Sequence, residues 1–171
     1  MQRPLRLRYD EVPSPIGKIL VALLDDQLAA LDFEGHGDRL HRLLERRFGQ
    51  YVLSNERNPA GISIAIGAYF DGELNALQNT SLRSNGSPFQ ERAWRALRTI
   101  PPGQCATYAE QATKIGAPKA ARAVGHANAQ NPIAIAIPCH RVIGASRSLT
   151  GYAGGLDRKR WLLTHEGADL G

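Results

Sequence analysis

At 171 residues the chain has room for one ordinary domain or two small ones, which excludes a large multidomain machine. Its 43% hydrophobic and 22% charged residues fit a globular protein; its longest apolar runs, Ile19 to Leu24 and Ile133 to Ile137, fall far below the roughly 20 residues of a membrane span. The formal charge of +5 is unevenly divided: residues 1 to 87 carry 10 Lys and Arg against 11 Asp and Glu, whereas residues 88 to 171 carry 11 against 5, which points to a polyanion facing the second half.

The first half opens with Leu5, Leu7 and Tyr9 in alternation, a turn at Pro13-Ser14-Pro15-Ile16-Gly17, and two apolar runs, Ile19 to Leu24 and Leu28 to Phe33, split by Asp25-Asp26-Gln27. That pattern predicts a small antiparallel sheet. Asp38 is a candidate cap for a helix whose Leu40, Leu43, Leu44 and Phe48 fall at helical spacing. A second helix carries Ile62, Ala65, Ile66 and Tyr69 and ends near Gly72. The polar stretch Asn79 to Ser87 is the expected linker, dividing the chain into an α/β domain at 1–86 and a second domain at 87–171.

Ser87, Pro88 and Gln90 supply an N-cap, a first-turn proline and a capping-box partner for a helix lined by Phe89, Ala93 and Leu97, which Pro101-Pro102-Gly103 must stop. Thr107 and Glu110 make a second capping box for a short helix with Tyr108, Ala112 and Ile115 that ends at Gly116. A third helix is expected from Pro118, giving a helix-turn-helix whose second helix enters a DNA groove. At about 100° per residue, Lys119, Arg122 and His126 fall on one basic stripe. Most other positions are Ala or Gly, so phosphate contact with little sequence preference is expected, a solvated charged face being the plainer alternative.

Asn131-Pro132 precedes an apolar run of strand type, Ile133 to Ile137, followed by Pro138-Cys139-His140-Arg141-Val142. A cysteine ending a buried strand is ordinarily inert, but a thiolate needs a base and positive potential, and His140 and Arg141 are placed to supply them. Adjacent strand residues point to opposite faces, so the expected link from Cys139 to His140 is a bridging water. Glu166 is a candidate to orient the imidazole. The only other cysteine, Cys105, reads as structural; two cysteines without CxxC spacing exclude a disulfide framework and a zinc motif, and a cytoplasmic location fits best.

The run Pro138 to Val142, with Asn131-Pro132 before it and Gly151-Tyr152-Ala153-Gly154-Gly155, Trp161-Leu162-Leu163 and His165-Glu166-Gly167 after it, resembles the O6-alkylguanine-DNA alkyltransferases. The likeness extends back through Arg122-Ala123-Val124-Gly125, Tyr108 and Pro88-Phe89-Gln90, and more weakly to Ser14-Pro15-Ile16-Gly17. It implies an α+β protein, a ribonuclease H-like first domain followed by a mostly helical one with the helix-turn-helix. It also implies direct-reversal repair, in which an alkyl group moves from O6 of guanine in duplex DNA irreversibly to Cys139, with O4-alkylthymine left open as a substrate.

By the same resemblance His140 is the base through a water, Glu166 orients it, and Asn131 supports the cysteine loop. Tyr108 passes a proton to guanine N3, and Arg122 enters the base stack from the minor groove, with Lys119, Ala123, Gly125 and His126 on the DNA-binding face. Val142, Tyr152, Ala153 and Gly154 shape the base pocket; since Ala153 has no hydroxyl, any contact to O6 there must come from backbone N–H. His126 stands where many members have a small residue, which bears on DNA affinity. No metal and no cofactor are expected, and the protein is expected to act as a monomer. A non-catalytic lesion sensor would lack Cys139, and a Cys-His hydrolase would need an oxyanion hole and turnover.

Overall fold

The computed structural model describes Arg3–Leu170. The chain divides into two compact units, one of residues up to Asn85 together with Pro132–Ala136, the other of Gly86–Asn131 and the residues from Ile137 onward.

In the first unit the alternating start forms β1 (Leu5–Val12), and the two apolar runs form β2 (Ile19–Leu24) and β3 (Gln27–Phe33). These three pair antiparallel as expected; the sheet then gains β4 (Tyr51–Asn55), which runs parallel to β1 in the order β3-β2-β1-β4. β4 is short, half-exposed and at the edge, so its residues carry little of the alternation that marks a strand. Every residue of β2 is buried, so the sheet is covered on both faces at this strand. On one face Leu7, Leu20, Ala22 and Ala30 pack with Leu40 and Leu44 of α1 (Gly37–Phe48). Asp38 lies inside the first turn of α1, where its charge suits the helix dipole, and His36 occupies the cap position without a side-chain hydrogen bond; the expected Asp38 cap is corrected accordingly. α2 (Ile62–Phe70) buries Ile62, Ile66 and Tyr69. The polar stretch after it is held to β3, since the Leu28 N–H donates to Ser81 O and the Arg83 N–H to Leu28 O.

In the second unit the capping boxes form as read. The Gln90 N–H donates to Ser87 Oγ at the start of α3 (Pro88–Leu97), and the Glu110 N–H to Thr107 Oγ1 at the start of α4 (Tyr108–Lys114). The third helix is shorter than expected: α5 spans Ala121–Ala129, and Pro118 and Lys119 belong to the turn before it. Trp94 on α3 donates its indole N–H to Ala127 O on α5 at 2.9 Å, tying these helices together. A short parallel pair, β5 (Ala106–Thr107) with β6 (Val142–Ile143), and α6 (Leu156–His165) complete the unit.

The run Ile133 to Ile137 is not a strand. It makes one bridge, Ile133 with Leu31, and then turns: Ile135 adopts φ 67°, and the Ala136 N–H donates to Ala134 O. A buried β-branched residue in the left-handed region costs roughly 1–3 kcal/mol, which the surrounding packing must offset.

Candidate functional site

The turn that replaces the expected strand sets the geometry of the site. Cys139, His140 and Arg141 form a single 3-10 turn, with the Cys139 N–H donating to Ile137 O and the Arg141 N–H to Pro138 O. At three residues per turn the side chains of Cys139 and His140 diverge by about 120°, so one can reach a cavity while the other is buried. Cys139 is half-buried, and His140 is 0% exposed.

Asn131 holds the cysteine end. Its Nδ2 donates to Ile137 O at 2.7 Å and lies 3.2 Å from Cys139 Sγ, so a buried amide fixes both the loop and the sulfur. Behind the turn, His140 Nε2 is 2.9 Å from Glu166 Oε2, while Arg141 donates from Nε to Oε1 at 2.8 Å and from Nη2 to Oε2 at 2.9 Å. A carboxylate only accepts, so it places the proton of a neutral imidazole on Nε2 and leaves the lone pair on Nδ1. His140 Nδ1 is buried and has no hydrogen-bond partner among the described residues.

The electrostatics agree with that tautomer. Burial pushes His140 below its ordinary value, and the nearby Arg141 and Lys159 charges reinforce the shift against the pull of Glu166, so the ring is neutral and able to take a proton. For Glu166, burial would raise the pKa, but the His140 hydrogen bond and the Arg141 guanidinium outweigh it and hold the carboxyl well below the usual carboxylate range. Arg141, read from sequence as a source of positive potential for the sulfur, makes its charged contacts with this carboxylate and donates a further hydrogen bond to Ile100 O.

Cys139 opens on a cavity of about 280 Å³ lined by Tyr108, Gly125, Asn128, Ala129, Gly151, Tyr152 and Ala153. That volume suits one small molecule. α5 lies close to the Tyr108 ring at Gly125, where a Cβ would meet Cδ1 and Cε1 at 3.6 Å, an ordinary van der Waals contact. Thr150 Oγ1 donates to the Tyr108 hydroxyl at 3.3 Å, joining the loop after β6 to α4. Val142 and Gly154 are buried outside this lining, Val142 paired with Ala106 on β6 and Gly154 accepting from Arg158 through its carbonyl. Arg122, Ala123 and His126 lie exposed on α5, and Lys119 is exposed in the preceding turn, so the basic stripe is split between turn and helix.

Sequence reasoning missed three polar residues. Lys159 is 0% exposed and donates from Nζ to Val142 O at 2.6 Å and to Thr150 O at 2.8 Å, pinning the loop over the cavity to β6. Burial pushes its ammonium below the ordinary value, although thiolate character at Cys139 or Cys105 would oppose this. Its signal was present: Lys159, Leu162, Leu163 and Glu166 fall at i, i+3, i+4 and i+7, two charges on an apolar stripe. The other two, Gln111 and Asn128, form a buried amide pair between α4 and α5.

Comparison with known proteins finds likeness along nearly the whole chain. Family models described as 6-O-methylguanine DNA methyltransferase match residues 7–83 as its ribonuclease-like domain and 88–168 as its DNA binding domain. The chain is 44% identical over 167 residues to a methylated-DNA--protein-cysteine methyltransferase of Salmonella typhimurium, covering 95% of this chain and 97% of that protein. It is 48% identical over 163 residues to the protein of that name from Mycolicibacterium paratuberculosis, covering 94% and 92%. The solved structure of Mycobacterium tuberculosis OGT in complex with DNA is similar with a TM-score of 0.79 at 42% identity, over 95% of this chain and 92% of that one. With both halves matched in order and the likeness to full-length relatives running nearly end to end, the chain belongs to the 6-O-methylguanine DNA methyltransferase family.

Proposed function

We propose that this chain is a methylated-DNA–protein-cysteine methyltransferase that reverses alkylation of guanine O6 in duplex DNA by taking the alkyl group onto Cys139. The observation that carries the reading is the Cys139–His140–Glu166 arrangement, in which an accessible thiol adjoins a neutral, buried imidazole whose far nitrogen is held by a carboxylate. The Cys139 thiol gives its proton through a water to His140 Nδ1, the buried acceptor. The sulfur then attacks the alkyl carbon: an S–C bond forms, the C–O6 bond breaks, and its electron pair passes into the purine. Tyr108 protonates the leaving base at N3 and recovers a proton, through water, from His140. The thioether has no route back to the thiol, so each molecule acts once.

The target atom lies inside the duplex, so the nucleotide must be extruded at a cost of a few kcal/mol, less for a poorly paired lesion. Arg122, exposed on α5 beside Ala123, fills the gap left in the stack, and the small side chains of this helix suit the minor groove. Lys119 and His126 add contacts to the phosphates, with little sequence preference. Tyr152 and Ala153 border the extruded base in the cavity, while Val142 and Gly154 act through backbone groups from behind it. In this reading the protein acts as a monomer, and no step calls for a metal or cofactor.

Incubation with an oligonucleotide containing O6-methylguanine is expected to add one methyl group per molecule, mapped to the peptide carrying Cys139. Cys139→Ala is expected to abolish the gain while keeping duplex binding. An unmodified wild-type mass, or methylation of the Cys139→Ala variant, overturns the reading.

A further inference from the structure

Asn128 is 7% exposed, lies on α5 with its backbone in the helix, and lines the cavity into which Cys139 opens. Its amide is engaged by a second buried amide: Asn128 Nδ2 donates to Gln111 Oε1 at 2.8 Å, and Gln111 Nε2 donates back to Asn128 Oδ1 at 3.0 Å. The orientation of the pair follows from chemistry. Gln111 Nε2 also donates to the backbone oxygen of Ala93 at 3.1 Å; a carbonyl can only accept, so this end of Gln111 must be the NH2 group. Gln111 Oε1 is then the acceptor, and the Asn128 atom facing it must be Nδ2.

An amide nitrogen has two hydrogens, and Gln111 takes one of them. The other belongs to a nearly buried group on the wall of a cavity whose remaining lining is aromatic or small apart from Cys139. A buried donor of this kind normally meets an acceptor, and leaving it unmet when a ligand displaces solvent costs about as much as a lost hydrogen bond. An alkylated guanine offers such acceptors, since alkylation at O6 removes the proton from N1 and leaves N1, N3 and N7 all with lone pairs. We propose that Asn128 is a specificity-determining residue of the pocket, donating its second Nδ2 hydrogen to N1 or N7 of the extruded purine, N3 being the atom that Tyr108 protonates, and that Gln111 is the positioning residue that aims it. The inference rests on the alkyl-transfer reading of the same cavity.

The test uses the full-length protein and free bases, which need no extrusion from a duplex. The probes are O6-benzylguanine and its 1-deaza, 3-deaza and 7-deaza analogues, each replacing one acceptor nitrogen by C–H, with benzylation of Cys139 followed by intact mass. Because each molecule reacts once, the amplitude reports the folded fraction and the rate constant reports the pocket. The Gln111→Met/Asn128→Leu double variant replaces both partners with apolar groups of similar shape, so neither amide is left stranded. It is expected to react with O6-benzylguanine on the order of fivefold to tenfold more slowly than wild type, and to match wild type on the 1-deaza or the 7-deaza analogue, the 3-deaza base reporting on Tyr108. Gln111→Met alone, which leaves Asn128 in place without its guide, is expected to narrow the wild-type discrimination between the parent base and that analogue.

Equal slowing on all four bases overturns the hydrogen bond, as does a wild type that treats O6-benzylguanine and its 1-deaza and 7-deaza analogues alike, which can be read even if neither variant folds. Unchanged discrimination in Gln111→Met overturns the positioning role. A wild type that takes no group from O6-benzylguanine or from methylated DNA instead removes the underlying alkyl-transfer reading.

Discussion

The side chain on which the site's electrostatics converge is Glu166, which is 4% exposed and joined to both His140 and Arg141. Glu166→Gln keeps the shape but removes the charge, leaving a buried guanidinium uncompensated and an imidazole no longer oriented by an obligate acceptor. We expect a loss of about 3–5 kcal/mol in denaturant-derived stability, as for other broken buried ion pairs. Among the molecules that remain folded, the alkylation rate should fall on the order of 10²-fold or more, as when a general base loses its function. A variant that unfolds more readily yet reacts at the wild-type rate would limit Glu166 to a structural part. The same residues give the rate its pH dependence. The base must be unprotonated and folding lowers His140 below its ordinary value of 6.5, so alkylation should stay fast as the pH falls through 6.5 and decline only at lower pH.

At the scale of elements, the helix-turn-helix separates two jobs. α5 presents Arg122, Ala123 and His126 to solvent and Val124, Ala127 and Asn128 to the interior. Arg122→Ala is expected to slow repair in duplex DNA far more than reaction with free O6-benzylguanine; equal losses in paired single-turnover assays would exclude a role in extrusion. Much of this organisation was legible in the sequence because it depends on local rules. Ser87 with Gln90 and Thr107 with Glu110 announce two helix starts within four residues each, and both boxes form. What was misread depends on contacts distant in the chain. The run Ile133 to Ile137 has the composition of a strand, but its pairing is limited to Leu31, about a hundred residues earlier, and its two flanking prolines, Pro132 and Pro138, lack the N–H a longer ladder needs. β4 was missed because half-exposed edge strands lose their alternation, and Gln111 and Asn128 because two amides 17 positions apart give no periodic signal.

For the molecule as a whole, charge and pH set two further expectations. The net +6 of residues 88 to 171 implies that duplex affinity falls steeply and linearly on a log–log plot against salt, as phosphate neutralisation requires; a flat response in a fluorescence titration would contradict this. Stability should fall toward acid in two stages. The unfolded chain protonates His140 near 6.5 while the folded chain resists, so this contribution is complete above pH 6.5 and drains away below it. Glu166, depressed in the folded state from an ordinary 4.5, adds a second loss as the pH drops beneath that value. Urea midpoints measured from pH 8 to 3 would show both stages, and a His140→Asn variant should lack the first. The tripeptide turn at Cys139–Arg141 carries a consequence for timing. The proposed nucleophile and proton acceptor are covalent neighbours on one turn, so that no hinge or closing lid has to bring them into register. On the proposed reading, readiness is built in at folding, and the slow event in an encounter with DNA is expected to be the nucleotide's own journey out of the helix.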